Sequence, residues 1–153
     1  MKNINSMSDA AQLLTRILRF LEIRPRSEYE VRTRLSRYGS TDEQTTAIIN
    51  KLHSLKFLDD QTFVRYLVDS RRSQGRSTRI IASELARHGI PREQIVSSLG
   101  GIAQDRATLK KLVVRKSHLP REKLLTYLAR RGFAWDLIRE ALSGYNDSIN
   151  RNS

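Results

Sequence analysis

No cysteine occurs among the 153 residues, which excludes disulfides, thiol nucleophiles and zinc–thiolate sites. No apolar run approaches the roughly 18 residues that a membrane span requires. The opening stretch MKNINSMSDA lacks the apolar segment of a secretory signal, so a cytoplasmic protein that makes no membrane contact is expected. Strand-like alternation is missing throughout. The chemistry of catalysis is missing too: there is no HExxH, no Asp-rich metal loop, no Gly-rich phosphate loop and no nucleophile elbow. His53, His88 and His118 lie far apart with no partner at metal-ligand spacing. Neither an enzyme nor a cofactor is expected.

Acidic residues are also scarce relative to their opposites. Lys and Arg number 28 against 16 Asp and Glu, a formal net charge of +12. Such an excess suits a polyanionic partner, whether nucleic acid, an acidic protein or an anionic surface. The plain alternative is a basic protein that is merely soluble. A hydrophobic fraction of 39% is low but sufficient for a core.

What the chain does contain is a repeat. The pentads LSRYG (35–39), LARHG (85–89) and LARRG (128–132) end three segments alike. Four residues before each leucine stands another apolar residue: Val31, Ile81 and Leu124. Each pentad therefore closes a helix with an apolar seam. Gly39, Gly89 and Gly132 fall just past the helix end, where a positive φ is needed. Twelve residues before the glycines stand Ser27, Ser77 and Pro120. The serines are good N-caps, and the proline suits a first helical turn.

A second helix follows each glycine, marked by Ile48 and Leu52, Ile95 and Leu99, and Ile138 and Leu142, each pair four apart. A third precedes each serine or proline. Its copies carry Leu13, Leu14, Ile17, Leu18 and Leu21; Phe63, Val64, Tyr66 and Leu67; and Ala103, Ala107, Leu109, Leu112 and Val113. The pattern predicts an all-α chain of three tandem three-helix repeats, at about 8–57, 58–100 and 101–144, with a polar tail at 145–153. One such unit buries little surface, so stacking into a short elongated solenoid is expected.

Acids cluster near the helix starts: Glu28, Glu30, Asp42, Glu43, Asp59, Asp60, Glu93, Asp105, Glu122 and Asp136. There a carboxylate meets free N–H groups and the positive dipole end, a gain of roughly 0.3–1 kcal/mol. Cations near helix ends are explained in part by the same dipole, but not their excess. Arg37, Arg87 and Arg130 each lie two residues past the seam leucine, about 200° around the helix, and are expected to face a partner as a row. Arg71, Arg72, Arg76 and Arg79 bracket the QGRS loop, Lys110, Lys111, Arg115 and Lys116 follow one another in the third repeat, and Arg131 adjoins Arg130. These residues are the candidate binding set, and guanidinium groups suit phosphate and carboxylate alike. The rings of Trp135, Phe133, Tyr38 and Tyr66 are capable of stacking on bases, but at seams and helix starts they are expected in the core.

The stretch FLDDQTFVRYLVDSRRSQGRSTRIIASELARHGI (57–90) resembles the signature of the RecX regulatory family, through Leu58-Asp59-Asp60, Phe63, Arg71, Gly75, Ile80, Glu84-Leu85 and Gly89-Ile90. RSEYEVRTRL is similar to the family's first module and LLTYLARRGFAWDLIREAL to its last, so the likeness spans roughly 10–144. It implies a non-enzymatic modulator that lies in the helical groove of the RecA–DNA filament; the chain itself is expected to be a monomer. Such a modulator restrains strand exchange, ATP hydrolysis and the coprotease role in the SOS response. Contact with single- or double-stranded DNA stays open. From composition and spacing alone the reading is a basic, all-helical binding protein. Its competitor is a helix-turn-helix DNA-binding protein, since each repeat joins two helices through a tight glycine turn.

Overall fold

The structure is a computed structural model that describes residues 2–145, with side chains from residue 9 onward. Apart from Tyr145, the tail expected at 145–153 lies outside the described residues. Among the described residues there are nine α-helices and no strand: α1 (Lys2–Ile23), α2 (Glu28–Arg37), α3 (Asp42–Ser54), α4 (Asp60–Ser73), α5 (Thr78–Arg87), α6 (Arg92–Leu99), α7 (Gly101–Arg115), α8 (Arg121–Arg130) and α9 (Trp135–Ala141). The chain divides into two compact units, with the boundary after Tyr66, inside α4.

In the first unit the predicted seams meet. Leu13 and Ile17 of α1, Val31 and Leu35 of α2, and Ile48, Ile49 and Leu52 of α3 form one buried cluster with Leu58. Full burial of each such side chain contributes roughly 1.5–3 kcal/mol. Ser27 caps α2 as expected: its Oγ accepts from the Glu30 N–H at 3.1 Å, and its own N–H donates to Glu30 Oε2 at 3.0 Å. This reciprocal pair satisfies two N–H groups that the helix leaves open. The first N–H of α2 is satisfied from further away, by Asp60 Oδ1 at 2.9 Å from the Glu28 nitrogen. Gly39 takes φ +82° after the helix end.

The end of α3 is built differently. Lys56 occupies the left-handed position, at φ +58°, and the Phe57 N–H reaches back to the Leu52 carbonyl at 2.9 Å. A side chain in this region is strained by roughly 1–2 kcal/mol relative to glycine. Replacing Lys56 with glycine should therefore raise stability, offset in part by the looser unfolded chain. A thermal melt that falls or stays level would contradict this.

In the second unit Ile81 and Leu85 of α5 are fully buried, and Ile90, Ile95 and Leu99 nearly so. A further cluster joins Leu109 and Leu112 of α7 to Leu124 and Leu128 of α8, Phe133, and Ile138 and Leu142 at α9. Ser77 caps α5, accepting from the Ile80 N–H at 3.3 Å, and its own N–H donates to the Arg131 carbonyl at 3.0 Å. Asp105 of α7 does for α5 what Asp60 does for α2: its Oδ1 accepts the Thr78 N–H at 2.8 Å. Both acids lie near the start of one helix yet serve the start of another.

Three expectations need correction. Ala103 and Ala107 are exposed, and the buried stripe of α7 runs through Thr108, Leu109 and Leu112 instead. Pro120 is the N-cap of α8 rather than its first-turn residue. Trp135 is 55% exposed and Tyr66 36%, so neither is core, whereas Phe133 is buried. Trp135 opens α9 at the seam spacing of Ile138 and Leu142, yet at the helix start it stays more than half exposed.

Candidate polyanion-binding surface

The twelve candidate cations fall into three environments. Two are committed to internal partners. Arg71 grips Glu84 with Nε at 2.8 Å and Nη2 at 2.6 Å. Arg72 is deeper, its side chain 11% exposed. Its Nη1 donates to Asp105 Oδ1 at 3.0 Å, and its Nη2 to Thr78 Oγ1 at 2.8 Å and to the Leu99 carbonyl at 2.7 Å. Its Nε is buried without an acceptor. These contacts tie the end of α4 to α5, α6 and α7.

A signal for this was available. Arg71 lies four residues beyond Leu67, on the buried stripe of its helix, and Glu84 directly precedes a seam leucine. Hydrogen bonding by Arg71 outweighs burial and holds the Glu84 carboxyl below the usual carboxylate range. The folded pKa is the lower one, so this contribution is present above the unfolded carboxylate pKa and is lost as pH falls through the folded value. An Arg71→Gln variant should be less stable than the parent at neutral pH, with the gap closing in acid. Parallel stability curves down to low pH would rule out this linkage.

Two more cations share an aromatic ring. Lys116 and Arg131 approach Tyr127 at 5.3 and 4.9 Å from its centroid. Arg131 Nη1 also donates to the Gln74 carbonyl at 2.6 Å, which brings the loop before Arg76 beside the end of α8. The remaining candidates, Arg37, Arg76, Arg79, Arg87, Lys110, Lys111, Arg115 and Arg130, make no ion pair among the described residues. Arg37, Arg87 and Arg130 are exposed and close α2, α5 and α8 in turn. Lys111 and Arg115, one turn apart on α7, line a cleft of about 320 Å³ with Arg72, Ser73, Gly75 and Thr108. No carboxylate lines it.

The first unit holds a cationic face that sequence reasoning missed. Arg16 of α1 lies over the ring of Tyr38 at 3.6 Å, and Arg34 of α2 lies over Phe20 at 4.4 Å. Arg24 completes the series by pairing with Glu30 at 2.6 Å. Each step of four from Arg16 through Phe20 to Arg24, just past α1, is thus met by a step of four from Tyr38, the C-cap of α2, back to Glu30. Arg26 covers Phe20 from its own position at 3.9 Å, and burial first, then neighbouring Arg24, lowers its pKa. The spacing of Arg16, Phe20 and Arg24 against Glu30, Arg34 and Tyr38 was visible; that the two series face each other was not.

The histidines are dispersed. His53 bonds Glu28 through Nε2 at 3.0 Å. Among the described residues no group of three His, Cys, Asp or Glu side chains is placed to hold a metal ion.

Fold and surface together define a basic, all-helical protein built from repeated three-helix units. Family models described as the first and second three-helix domains of RecX match residues 14–52 and 59–99. Regulatory protein RecX of Mycobacterium avium (strain 104) is 34% identical over 137 residues, covering 82% of this chain and 79% of that protein. Regulatory protein RecX of Prosthecochloris aestuarii is 34% identical over 144 residues, covering 90% and 95%. Among solved structures, RecX from Lactobacillus salivarius superposes with a TM-score of 0.70 at 21% identity, covering 91% of this chain and 97% of that one. The chain belongs to the RecX family of regulatory proteins.

Proposed function

We propose that this protein is a non-enzymatic regulator that binds the RecA–DNA filament along its helical groove and restrains strand exchange, ATP hydrolysis and coprotease activity. The observation that carries this reading is a set of unpaired, outward cations on both units of a chain whose relatives are named regulatory proteins. Internal charges such as Arg71 and Arg72 are matched to acids; Arg79, Arg87, Lys110, Arg115 and Arg130 are not. An uncompensated surface charge of one sign is what a polyanionic partner requires. The reading takes the protein to act as a monomer in the cytoplasm, with the three repeats at 8–57, 58–100 and 101–144 as its binding modules. Among the described residues no helix is long and apolar enough to cross a membrane.

The test is a titration into RecA-coated single-stranded DNA and into bare DNA at matched salt. Binding to bare DNA through cations alone weakens with salt by about 0.9 in log K per phosphate neutralised on duplex. A protein groove adds apolar and carboxylate contacts, so filament binding should persist at salt that abolishes bare-DNA binding. ATP hydrolysis by preformed filaments should fall at concentrations well below those that coat free DNA. Equal affinity and salt slope for both targets, with hydrolysis unchanged, would hand the function to the helix-turn-helix alternative.

A further inference from the structure

We propose that the outer face of α1 and α2 in the first unit is a phosphate-binding face that takes the backbone of a nucleic-acid strand directly. The argument begins with how its guanidinium groups are held. A guanidinium stacked on a ring uses its flat face, while its five N–H donors point outward in its own plane. Arg16 lies over Tyr38 and Arg34 over Phe20, and neither guanidinium makes a hydrogen bond or ion pair among the described residues. Their donors are therefore unused, while the rings hold the two guanidinium groups in place. Bidentate anion recognition needs such an arrangement, and ordering the side chains beforehand lowers the cost of binding.

Two more unpaired arginines flank the ladder. Arg19 lies between Arg16 and Phe20 on α1, and Arg37 precedes Tyr38 on α2; both are exposed. The one carboxylate in the ladder, Glu30, is already held by Arg24 and by the cap of α2. Arginines outnumber acids here: Glu22, exposed on α1 one turn beyond Arg19, stands against Arg16, Arg19, Arg34 and Arg37, and every cation named on the face is arginine.

The chemistry selects the backbone rather than the bases. Phe20 and Tyr38 pack against the core cluster, with Arg26 and Arg34 over Phe20 and Arg16 over Tyr38, which leaves little ring surface to a base. Contacts restricted to phosphate position a strand without reading its sequence. Successive turns of α1 are about 5.4 Å apart, a repeat short enough for neighbouring phosphates of one strand. A strand fixes the spacing of its phosphates covalently, whereas an acidic segment carries its carboxylates on flexible side chains, which favours nucleic acid as the partner.

The inference deepens the filament reading, since the strand concerned would be the one a recombinase coats, but it is tested without recombinase so that the two fail separately. The full chain is titrated into a labelled single-stranded oligonucleotide across a salt series. Two variants are compared: Arg16→Gln with Arg34→Gln, and Arg19→Gln with Arg37→Gln. The second pair removes charges that hold nothing in place, so it decides the matter if the first loses helicity. Each folded variant should bind about tenfold more weakly, with a salt slope smaller by about 0.7 for each phosphate no longer neutralised. Mixed-sequence oligonucleotides should bind alike. An unchanged affinity and slope in the Arg19 and Arg37 variant would overturn the proposal. So would displacement of the oligonucleotide by polyglutamate at equal charge concentration, which would mark an acidic protein surface as the partner. Loss of strand binding in these variants, with hydrolysis by filaments still restrained, would support this face while separating it from the regulatory contact.

Discussion

Replacing Gly132 with alanine should destabilise the protein by about 3 kcal/mol or more, against about 1 kcal/mol for the same change at Gly39 or Gly89. The three glycines end equivalent helices and take φ values of +82°, +73° and +90° at 39, 89 and 132. A left-handed conformation costs any L-residue, so a common penalty applies to all three. Surroundings set them apart. A Cβ on Gly39 or Gly89 meets nothing within 4 Å, whereas on Gly132 it lies 2.4 Å from Ile80 Cδ1 and 2.6 Å from Ser77 Oγ. Ser77 is fully buried and caps α5, so it does not yield without disturbing that helix start, and Ile80 must turn its side chain away as well. Gly89→Val, with a β-branched side chain but open space, should cost more than about 1 kcal/mol yet less than Gly132→Ala. Chemical denaturation of the three alanine variants distinguishes these cases. Three equal losses would show that only φ matters and that the packing of the Gly132 turn against α5 contributes nothing.

That ranking marks where sequence reasoning stops. The helix ends, the serine caps and the seams through Val31–Leu35, Ile81–Leu85 and Leu124–Leu128 were legible because each depends on residues within one turn. The packing partners of those elements were not. Asp60 reaches the Glu28 nitrogen and Asp105 the Thr78 nitrogen across 32 and 27 residues, and no local period announces such a pairing. An acid near a helix start reads as serving its own dipole, which is correct for Glu30 and misses what Asp60 and Asp105 reach. The candidate surface shows the same limit. Four arginines around the QGRS loop look alike in the sequence, yet Glu84 and Asp105 engage only Arg71 and Arg72. Arg16 and Arg34 carry no local marker, because neither adjoins a repeat glycine and their aromatic partners lie on another helix.

Splitting that central arginine cluster should give opposite results in its two halves. Arg72→Ala removes the cation that faces Asp105 and leaves the Leu99 carbonyl without its donor. Breaking a buried pair from one side costs about 3–5 kcal/mol, because the remaining charge stays desolvated. Asp105 keeps the Thr78 N–H and hydroxyl, at 2.8 Å each, which places the expected loss toward the lower end of that range. Arg71→Glu with Arg72→Glu should be worse, since two carboxylates would then face Glu84 and Asp105. Arg76→Glu with Arg79→Glu should leave helicity and melting nearly unchanged, because neither side chain makes an ion pair among the described residues. If the regulator engages its filament through this loop, the second pair should weaken binding strongly while the fold persists. Circular dichroism beside a filament titration reads both effects in one series. A stable Arg72→Ala variant would refute the internal network, and undiminished filament affinity in the Arg76 and Arg79 variant would remove this loop from the contact.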